Sequence, residues 1–390
     1  MQNFRLMRIL HTSDWHIGKR LSDRERLPEQ EEALDEIVKI CEQENVELVL
    51  VAGDVFDTFT PPAEAEELFY SKIKQIAGED RAVVIVSGNH DDGVRLAAAA
   101  PFAVDSGVYL FGNKPKKIAL GGNRKIRAVE AGDFYLILEN EKGERVYINA
   151  LPYPNEASLK EEKTEESYSQ RIARRIARGE EGYKAGLPYI LLTHLFVLGG
   201  KVSDSERDID LGGARAVPPS LFPENAYVAM GHLHRPQKMA ENVYYSGSLL
   251  QYSFDEANTE KSVRLLKTEG DTVKTLKEIP LQAGKRLVRP ECNGVDDALK
   301  LLSNYQEHFV ELTLNLNAPL TSQETQSLKD ACAGLIFINP RVKTGEVTPV
   351  FTRSTLSDSD LFKEYYRSKF GDDPKSELTE KFLSLLEEEA

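Results

Sequence analysis

Cysteine is scarce in this sequence: its 390 residues include only Cys41, Cys292 and Cys332, and none of them forms a CxxC pair. This excludes a thiolate zinc-ribbon site and makes a disulfide framework unexpected. No stretch approaches the roughly 18 uninterrupted apolar residues that a membrane span needs. The apolar run near the N-terminus is too short for a signal peptide. We therefore expect a cytoplasmic protein without a membrane anchor, with Met1 or Met7 as its native start.

The sequence also lacks a basic excess, because 49 Lys and Arg stand against 63 Asp and Glu, giving a formal net charge of −14. Binding DNA through long-range charge alone needs a basic surface, so composition by itself disfavours a nucleic-acid ligand. No GxxxxGKS or GxxxxGKT phosphate loop occurs, which predicts that the chain has no ATP site of its own. A mass of 43.7 kDa predicts two or three domains.

Short apolar runs alternate with amphipathic helices in the first two-thirds of the chain, which predicts an α/β domain. The runs are dense in Val, Ile, Leu, Tyr or Ala, as buried strands should be. They cover residues 7–13, 47–53, 82–88, 189–193 and 226–231. Apolar residues at helical spacing predict helices over 28–44 and 61–76.

The highly charged stretch 155–186 has an apolar stripe with arginines around it. The stripe is formed by Tyr168, Ile172 and Ile176, and the arginines are Arg171, Arg174, Arg175 and Arg178. One interpretation is a basic face for DNA. The favoured one is a solvated helix that packs on its own domain.

A small α/β module is predicted downstream, with strands over 285–289, 310–316 and 335–339 and helices over 295–305 and 322–332. After a polar break, two further helices are predicted over 361–370 and 376–389. These helices either dock on another protein or pack back on their own chain, and the sequence leaves both open. We therefore predict three domains: 1–275, 276–350 and 351–390.

Side chains with metal-ligand chemistry follow the five predicted strands. They form the clusters Asp14-Trp15-His16, Gly53-Asp54, Gly88-Asn89-His90-Asp91, Thr193-His194 and Gly231-His232-Leu233-His234. Residues at i and i+2 of an extended segment point the same way, so the first and last clusters should each offer two ligands to one site. Such ligands converge where the carboxyl ends of neighbouring strands meet. The glycines let the backbone turn sharply and approach closely.

The ligand types indicate the class of metal. Carboxylate, amide oxygen and imidazole without thiolate favour Mn²⁺, Fe²⁺ or Zn²⁺. The ligands are too many for one tetrahedral ion, and two ions that share a bridging carboxylate fit better. Such pairs lie roughly 3.5–4 Å apart and hold both the attacking and the leaving oxygen of a phosphoryl transfer.

With D-x-H, G-D, G-N-H-D, H and G-H-x-H in this order, the chain resembles the calcineurin-like metallophosphoesterase family over about residues 7–250. The resemblance implies an α/β/β/α fold of four layers, with two sheets face to face and helices outside. It implies that Asp54 bridges two metals and that His90 is the catalytic residue, which contacts the phosphate or protonates the leaving oxygen. The implied ligands of one metal are Asp14, His16 and His234, and those of the other are Asn89, His194 and His232.

That family includes phosphatases, cyclic-nucleotide phosphodiesterases and nucleases, so the fold alone does not decide the substrate. Segments 10–19, 195–200, 231–236 and 245–255 resemble a bacterial family of nuclease subunits of double-strand-break repair complexes. Asp92 and Leu249 depart from its pattern, where a small Ser and a Pro are common. The alternatives are a phosphodiesterase or phosphatase of the same fold, acting on a small molecule or a phosphoprotein, and a scaffold without catalysis.

The nuclease resemblance implies two Mn²⁺ ions, with other divalent metals as substitutes. It implies ATP-dependent 3′→5′ exonuclease action on duplex ends and endonuclease action on single strands and hairpins, in DNA end processing, replication, recombination and repair. ATP would bind a partner ATPase, which the C-terminal helices would contact, and the 276–350 module would cap the site and recognise DNA. A homodimer and activity at the nucleoid are also implied.

Overall fold

The computed structural model describes residues 6–114, 118–120, 124–154, 166–206 and 215–342. Towards the C-terminus it also describes positions 362–363, 366–367, 374, 378–379 and 381–382. Two large sheets form its centre. The first has six strands: β1 Arg8–Thr12, β2 Leu48–Ala52, β3 Ala82–Val86, β4 Val108–Phe111, β14 Ser262–Glu269 and β15 Thr272–Pro280. Their order across the sheet is β15-β14-β1-β2-β3-β4.

In the first sheet, β1 to β4 run parallel, and β14 adds to the free edge of β1 in the antiparallel sense. Every residue of β2 and β3 is buried, as expected of parallel strands that are covered on both faces. At the start of β1, the Met7 amide donates to Thr268 Oγ1 at 3.0 Å. Segments that lie far apart in the sequence are thus neighbours in the first sheet.

The second sheet has seven strands. They are β5 Ile126–Ala131, β6 Tyr135–Asn140, β7 Arg145–Leu151, β8 Tyr189–His194, β11 Ala226–Gly231, β12 Gln237–Ala240 and β13 Val243–Tyr245. Their order is β12-β13-β11-β8-β7-β6-β5. β8 and β11 run parallel, so their carboxyl ends lie side by side. A separate two-stranded ribbon pairs β9 Phe196–Val197 with β10 Ala216–Val217.

Helices cover the outer faces of both sheets. α1 Leu27–Gln43 and α2 Ala63–Ala77 pack on the first sheet, and α3 Tyr168–Glu180 packs on the second. Between the sheets lies a third apolar layer, to which β2 and β8 contribute alternate side chains. The predicted four-layer fold is confirmed. α1, α2 and each of the five predicted strands lie within about two residues of their predicted bounds.

α3 settles how the arginine-rich stretch packs. Ile172 and Ile176 are buried against the second sheet, while Arg178 pairs with Asp133 at 2.5 Å. Ser167 begins the helix with a capping box. The favoured interpretation, a helix that packs on its own domain, is confirmed.

A small module follows the first sheet. Its strands are β16 Arg286–Val288, β17 Glu291–Asn293, β18 His308–Leu316 and β19 Leu335–Val342, with helices α4 Val295–Leu302 and α5 Ser322–Ala331. β18 pairs with the other three strands. We call residues 286–314 and 322–339 the capping module. The predicted boundaries at 275 and 350 stay predictions.

Arg26 and Gln251 attach the capping module to the sandwich. The Gln251 side chain accepts from the Leu287 amide at 2.8 Å, and the Arg26 guanidinium lies 5.0 Å from the centre of the Phe309 ring. Arg26 also donates to the Gln251 carbonyl at 2.8 Å and pairs with Glu29. We call Arg26, Glu29 and Gln251 the latch.

The predicted C-terminal helices lie mostly outside the described residues. The described positions near Phe362 and Phe382 are helical, and their two rings stack with centroids 4.2 Å apart. Residues 315–321 and 340–390 form a unit separate from the remainder of the chain. No helix among the described residues is long and apolar enough to span a bilayer.

Candidate metal centre

The predicted ligands meet where the carboxyl ends of the two sheets come together. The first sheet contributes the residues that follow β1, β2 and β3, and the second contributes those that end or follow β8 and β11. None is more than 6% exposed. The residues brought together are Asp14, His16, Asp54, Asn89, His90, His194, His232 and His234.

Backbone strain is concentrated at these residues. Four of them have positive φ angles, a region that residues other than glycine rarely adopt. The values are 51° for Asp14, 46° for His16, 49° for Asp54 and 108° for His232. We expected Asp14 and His16 to point the same way because an extended backbone would alternate them. Both side chains do reach the site, but the backbone at each residue is left-handed and not extended. The left-handed turns, at a cost of about 1–3 kcal/mol each, aim the side chains into the site.

Two glycines are required for close approach. A Cβ atom on Gly88 would lie 2.1 Å from Asp54 Oδ1, and one on Gly53 would lie 2.4 Å from His194 Nδ1. Either contact would displace a predicted ligand. The predicted role of these glycines, to let the backbone come close, agrees with this geometry.

Asp54 lies between imidazoles from both sheets. Its Oδ2 is 3.3 Å from His194 Nε2 and 3.6 Å from His16 Nε2, while Oδ1 accepts from the His90 amide at 2.8 Å. Asp14 is its counterpart beside β1, where Oδ1 accepts from the His232 amide at 2.9 Å. Asp54 is thus placed to serve two positions at once.

The other predicted ligands lie in two groups, one of two side chains and one of three. Nε2 of His16 lies 2.9 Å from Nε2 of His234. Asn89 Oδ1 lies 2.8 Å from His194 Nε2 and 3.0 Å from His232 Nδ1. Ligand atoms of Asp14, His16 and His234 all lie within 4.8 Å of one another, as do those of Asp14, Asp54 and His194.

Hydrogen bonds on the outer side of the rings fix which nitrogen faces inward. A carbonyl oxygen only accepts, so the contacts of His194 Nδ1 with Ala52 O at 2.8 Å and of His90 Nδ1 with Asp57 O at 2.7 Å place a proton on Nδ1. When either ring is neutral, its Nε2 therefore carries the lone pair. Nε2 of His194 lies beside Asn89 and Asp54. Metal-binding histidines are held in this way.

The electrostatics follow from burial and from the mixture of charges. Burial alone would raise the pKa of Asp54, but the imidazoles of His194 and His90 hold it well below its usual value. Burial also opposes charge on His194, yet Asp54 raises the pKa of that imidazole to about 9. Burial, then His194, lowers the pKa of His232 to about 3. His232 is therefore neutral at pH 7.

The donor set fits a pair of divalent ions. Nδ1 of His232 and Nε2 of His194 both lie within 3.0 Å of Asn89 Oδ1, a grouping of donor atoms that a cation could hold together. Nε2 atoms of His16 and His234 also lie 2.9 Å apart, and a cation between them would satisfy both lone pairs. Imidazole, carboxylate and amide oxygen without thiolate suit Mn²⁺, Fe²⁺ or Zn²⁺.

The sequence did not indicate three supporting acids. Asp57 lies 3.4 Å from His16 Nδ1 and 2.8 Å from Lys19 Nζ. Asp91, although part of a predicted cluster, is not a ligand, because its carboxylate accepts from the amides of Val55, Phe56 and Gly88. Glu256 is fully buried near His234. Only the Gly-Asn-His-Asp run could have signalled Asp91 in advance.

Of the two departures from the pattern, Asp92 has a local role. Its side chain accepts from the amides of Val94 and Arg95, which begins the single helical turn Gly93–Leu96. Leu249 is buried in the apolar layer beneath α1 and α2. Neither residue is among those brought together at the site.

Two comparisons with known proteins agree with this geometry. The family model for calcineurin-like phosphoesterases matches residues 7–236. A relative from Bacillus subtilis (strain 168), the SbcD subunit of the nuclease SbcCD, is 34% identical over 403 aligned residues, which cover 97% of each chain. The prediction of an SbcD-type, metal-dependent hydrolase is confirmed. The chain therefore belongs to the calcineurin-like phosphoesterase family and, within it, to the group that includes SbcD.

Proposed function

We propose that this chain is the nuclease subunit of an SbcCD-type complex and hydrolyses phosphodiester bonds in DNA with two Mn²⁺ ions. One observation carries the proposal: in a chain similar to SbcD along 97% of its length, the full predicted ligand set meets at one buried edge. The proposed reactions are ATP-dependent 3′→5′ exonuclease action on duplexes and endonuclease action on single strands and hairpins. The proposed location is the cytoplasm, at the nucleoid.

In this proposal the ligands divide into two sets joined by Asp54. The first is Asp14, His16 and His234, and the second is Asn89, His194 and His232. The contact of Asp54 Oδ2 with both His16 and His194 supports the bridging role. When bound, a pair of divalent ions would supply positive charge to the phosphate and lower the pKa of water toward neutrality.

His90 is proposed to act on the substrate. Its Nδ1 donates to the Asp57 carbonyl, so Nε2 is the atom that can hold a proton for the leaving oxygen or contact the phosphate. The His90 amide donates to Asp54, which keeps the ring beside the ligands. The ring centroids of His90 and His16 are 4.7 Å apart.

An SbcC-type ATPase is the proposed partner, bound through the C-terminal helices. The chain has no phosphate loop, and its net charge of −14 suits a subunit that shares DNA binding with another chain. Deleting residues 356–390 should abolish co-purification with the ATPase but preserve Mn²⁺-dependent cutting of single strands. Undiminished co-purification would place the docking surface elsewhere.

A homodimer is also proposed, through the surface around Phe102. Phe102 is 85% exposed, more than any other large apolar side chain among the described residues, and Val94, eight residues earlier, is 53% exposed. A Phe102→Asp change should convert a dimer into a monomer in light scattering. Leu120→Asp is the control at another exposed apolar residue, and it should leave the dimer intact.

The decisive experiment incubates the purified protein with labelled hairpin DNA and Mn²⁺, beside Asp54→Ala. Cutting should depend on Mn²⁺ and vanish in the variant. Asp133→Ala, which removes an equal charge from the exposed pair with Arg178, should cut normally. Adding an SbcC-type ATPase and ATP should extend the activity to duplex ends.

The second candidate is a phosphodiesterase or phosphatase of the same fold, because the same ligand set serves either substrate. Rapid hydrolysis of a cyclic nucleotide or a phosphopeptide, with no cutting of DNA in the presence or absence of the ATPase, would favour it. Such an enzyme would need neither the capping module nor a partner.

A further inference from the structure

Glu256 is a fully buried carboxylate on the Nδ1 side of the His234 ring. Hydroxyl groups surround its Oε1: Ser203 at 3.2 Å, Ser205 at 2.5 Å and Ser253 at 3.0 Å. Lys261 forms a salt bridge to Oε2. A buried charge is costly unless it is paired and hydrogen-bonded, and this one is both. We call Ser203, Ser205, Ser253, Glu256 and Lys261 the Glu256 cluster.

The hydrogen bonds of the Glu256 cluster determine where His234 carries its proton. A serine hydroxyl has a single proton, and Ser205 donates it to Glu256 because an ionised carboxylate only accepts. Ser205 Oγ also lies 2.6 Å from His234 Nδ1, so at that contact the hydroxyl accepts. Nδ1 of His234 therefore bears hydrogen, and Nε2 carries the lone pair.

The backbone of His234 is held by the same neighbourhood. Its amide donates to Glu206 at 2.7 Å, and its carbonyl accepts from Lys261 Nζ at 2.7 Å. Lys261 thus touches both the carboxylate that orients the ring and the peptide that carries it. The ring has little freedom to rotate, and Nε2 stays 2.9 Å from Nε2 of His16.

We propose that Ser205 and Glu256 are positioning residues, which fix the tautomer of His234 and hold its Nε2 toward one of the two metal positions. The inference rests on the proposed function, in which His234 is a ligand. The other metal position is independent of the Glu256 cluster, because His194 is oriented by the Ala52 carbonyl. Loss of the cluster should weaken one metal position and spare the other.

The test measures Mn²⁺ binding and the tautomer directly, without DNA. Ser205→Ala should weaken one of the two Mn²⁺ sites by about 10- to 100-fold in an equilibrium titration followed by electron paramagnetic resonance. Ser205→Thr, which retains the hydroxyl, should restore it. Glu256→Gln should weaken the same site. Asp35→Asn, at the carboxylate that pairs with Lys72 on the helical face, should change neither site.

The protonated nitrogen is read from ¹⁵N spectra of histidine-labelled, metal-free protein. In the parent the His234 Nδ1 signal should be that of N–H, and in Ser205→Ala the two tautomers should mix. Parent affinity at both sites in Ser205→Ala, or an equal loss at both, would overturn the inference. If Glu256→Gln fails to fold in a denaturant titration, the two Ser205 variants decide alone.

His234→Ala separates this inference from the proposed function. If this variant keeps both Mn²⁺ sites, the ligand assignment itself is wrong. If it loses one site while Ser205→Ala loses none, the ligand assignment stands and only the positioning role is lost.

Discussion

The sandwich and the capping module are built from the same elements but use them differently. In the sandwich, β2, β3, β8 and β11 are buried along their whole lengths, and buried polar residues lie at or just beyond their carboxyl ends. In the capping module, β18 alternates between buried and half-buried positions, as a strand covered on one face does. Among its described residues, no group of three side chains resembles a metal site.

This difference teaches what a buried metal centre requires. Four strained backbone residues and several buried charges are tolerated at the site because two apolar layers hold the surrounding strands. The capping module is joined to the sandwich by the latch and by an apolar cluster that Leu287 and Phe309 share with Leu21 and Phe254. The same chemical change should therefore have a large effect in the first region and a small one in the second.

The largest contrast is expected for glycine. Gly88→Ala would place a Cβ atom 2.1 Å from Asp54 Oδ1, so it should abolish tight Mn²⁺ binding and reduce phosphodiesterase activity by about 1000-fold or more. Gly294→Ala is the matched change in the capping module, where nothing lies within 4 Å. Its φ of 79° and ψ of 163° should cost about 1–3 kcal/mol of stability and leave activity intact. Normal activity in Gly88→Ala would contradict this account of the site.

The second contrast separates a residue that acts on the substrate from residues that bind the metal ions. His90→Ala should reduce turnover by about 100- to 10 000-fold, as loss of a general acid does, while both Mn²⁺ ions remain bound. His308→Ala makes the same change on β18 and should leave turnover unchanged. Steady-state kinetics and metal analysis of both variants are the measurements. A large loss of Mn²⁺ from His90→Ala would make His90 a ligand instead.

The third contrast concerns the latch. Arg26→Met leaves Glu29 and the Gln251 carbonyl without their buried partner, which should lower the free energy of unfolding by about 3 kcal/mol. Hydrogen exchange should accelerate in β16 of the capping module but not in β2. Arg20→Met, at the exposed pair with Glu25, should alter neither strand. Equal acceleration in both strands would mean that the latch supports the sandwich as a whole.

The smallest effect concerns His11, which links the two sheets through Tyr227 and the Met230 carbonyl. Burial, reinforced by Arg264, lowers its pKa from 6.5 to about 3. Between these values the unfolded chain binds a proton that the folded one does not, so stability falls as the pH drops below 6.5. From pH 7 to 5.5 the parent should lose about 1 kcal/mol that His11→Gln does not lose. Denaturant titrations of the Mn²⁺-loaded proteins measure the difference.

The meeting of the predicted ligands at one edge could be expected from the sequence because each cluster lies at or just beyond the end of a buried strand, often after a glycine. The order of the clusters identified the family, and the family implied the four layers. Periodicity also placed α1, α2, α4 and α5. Strand ends, cluster order and helical periodicity are local features of the sequence, and they do not depend on which strands are neighbours in the sheets.

The supporting residues could not be predicted because their roles exist only in three dimensions. Glu256 and Ser205 are 51 positions apart in the sequence. Glu256 ends a short 3₁₀ helix and Ser205 lies in a turn, and both come close to His234. Asp57 resembles any acid in a loop until His16 and Lys19 are placed beside it. The left-handed conformations of Asp14 and His16 were missed since neither residue type requires them.

The pairing of β1 with β14 has a consequence for synthesis of the protein. Met7 meets Thr268 across 261 positions of the chain. At about 5–20 residues per second, a ribosome needs roughly 13 to 50 seconds to make that length, and β1 waits for this partner throughout. His16 waits similarly for His234, 218 positions later. A nascent chain therefore cannot bring all its predicted ligands together until most of it has been translated.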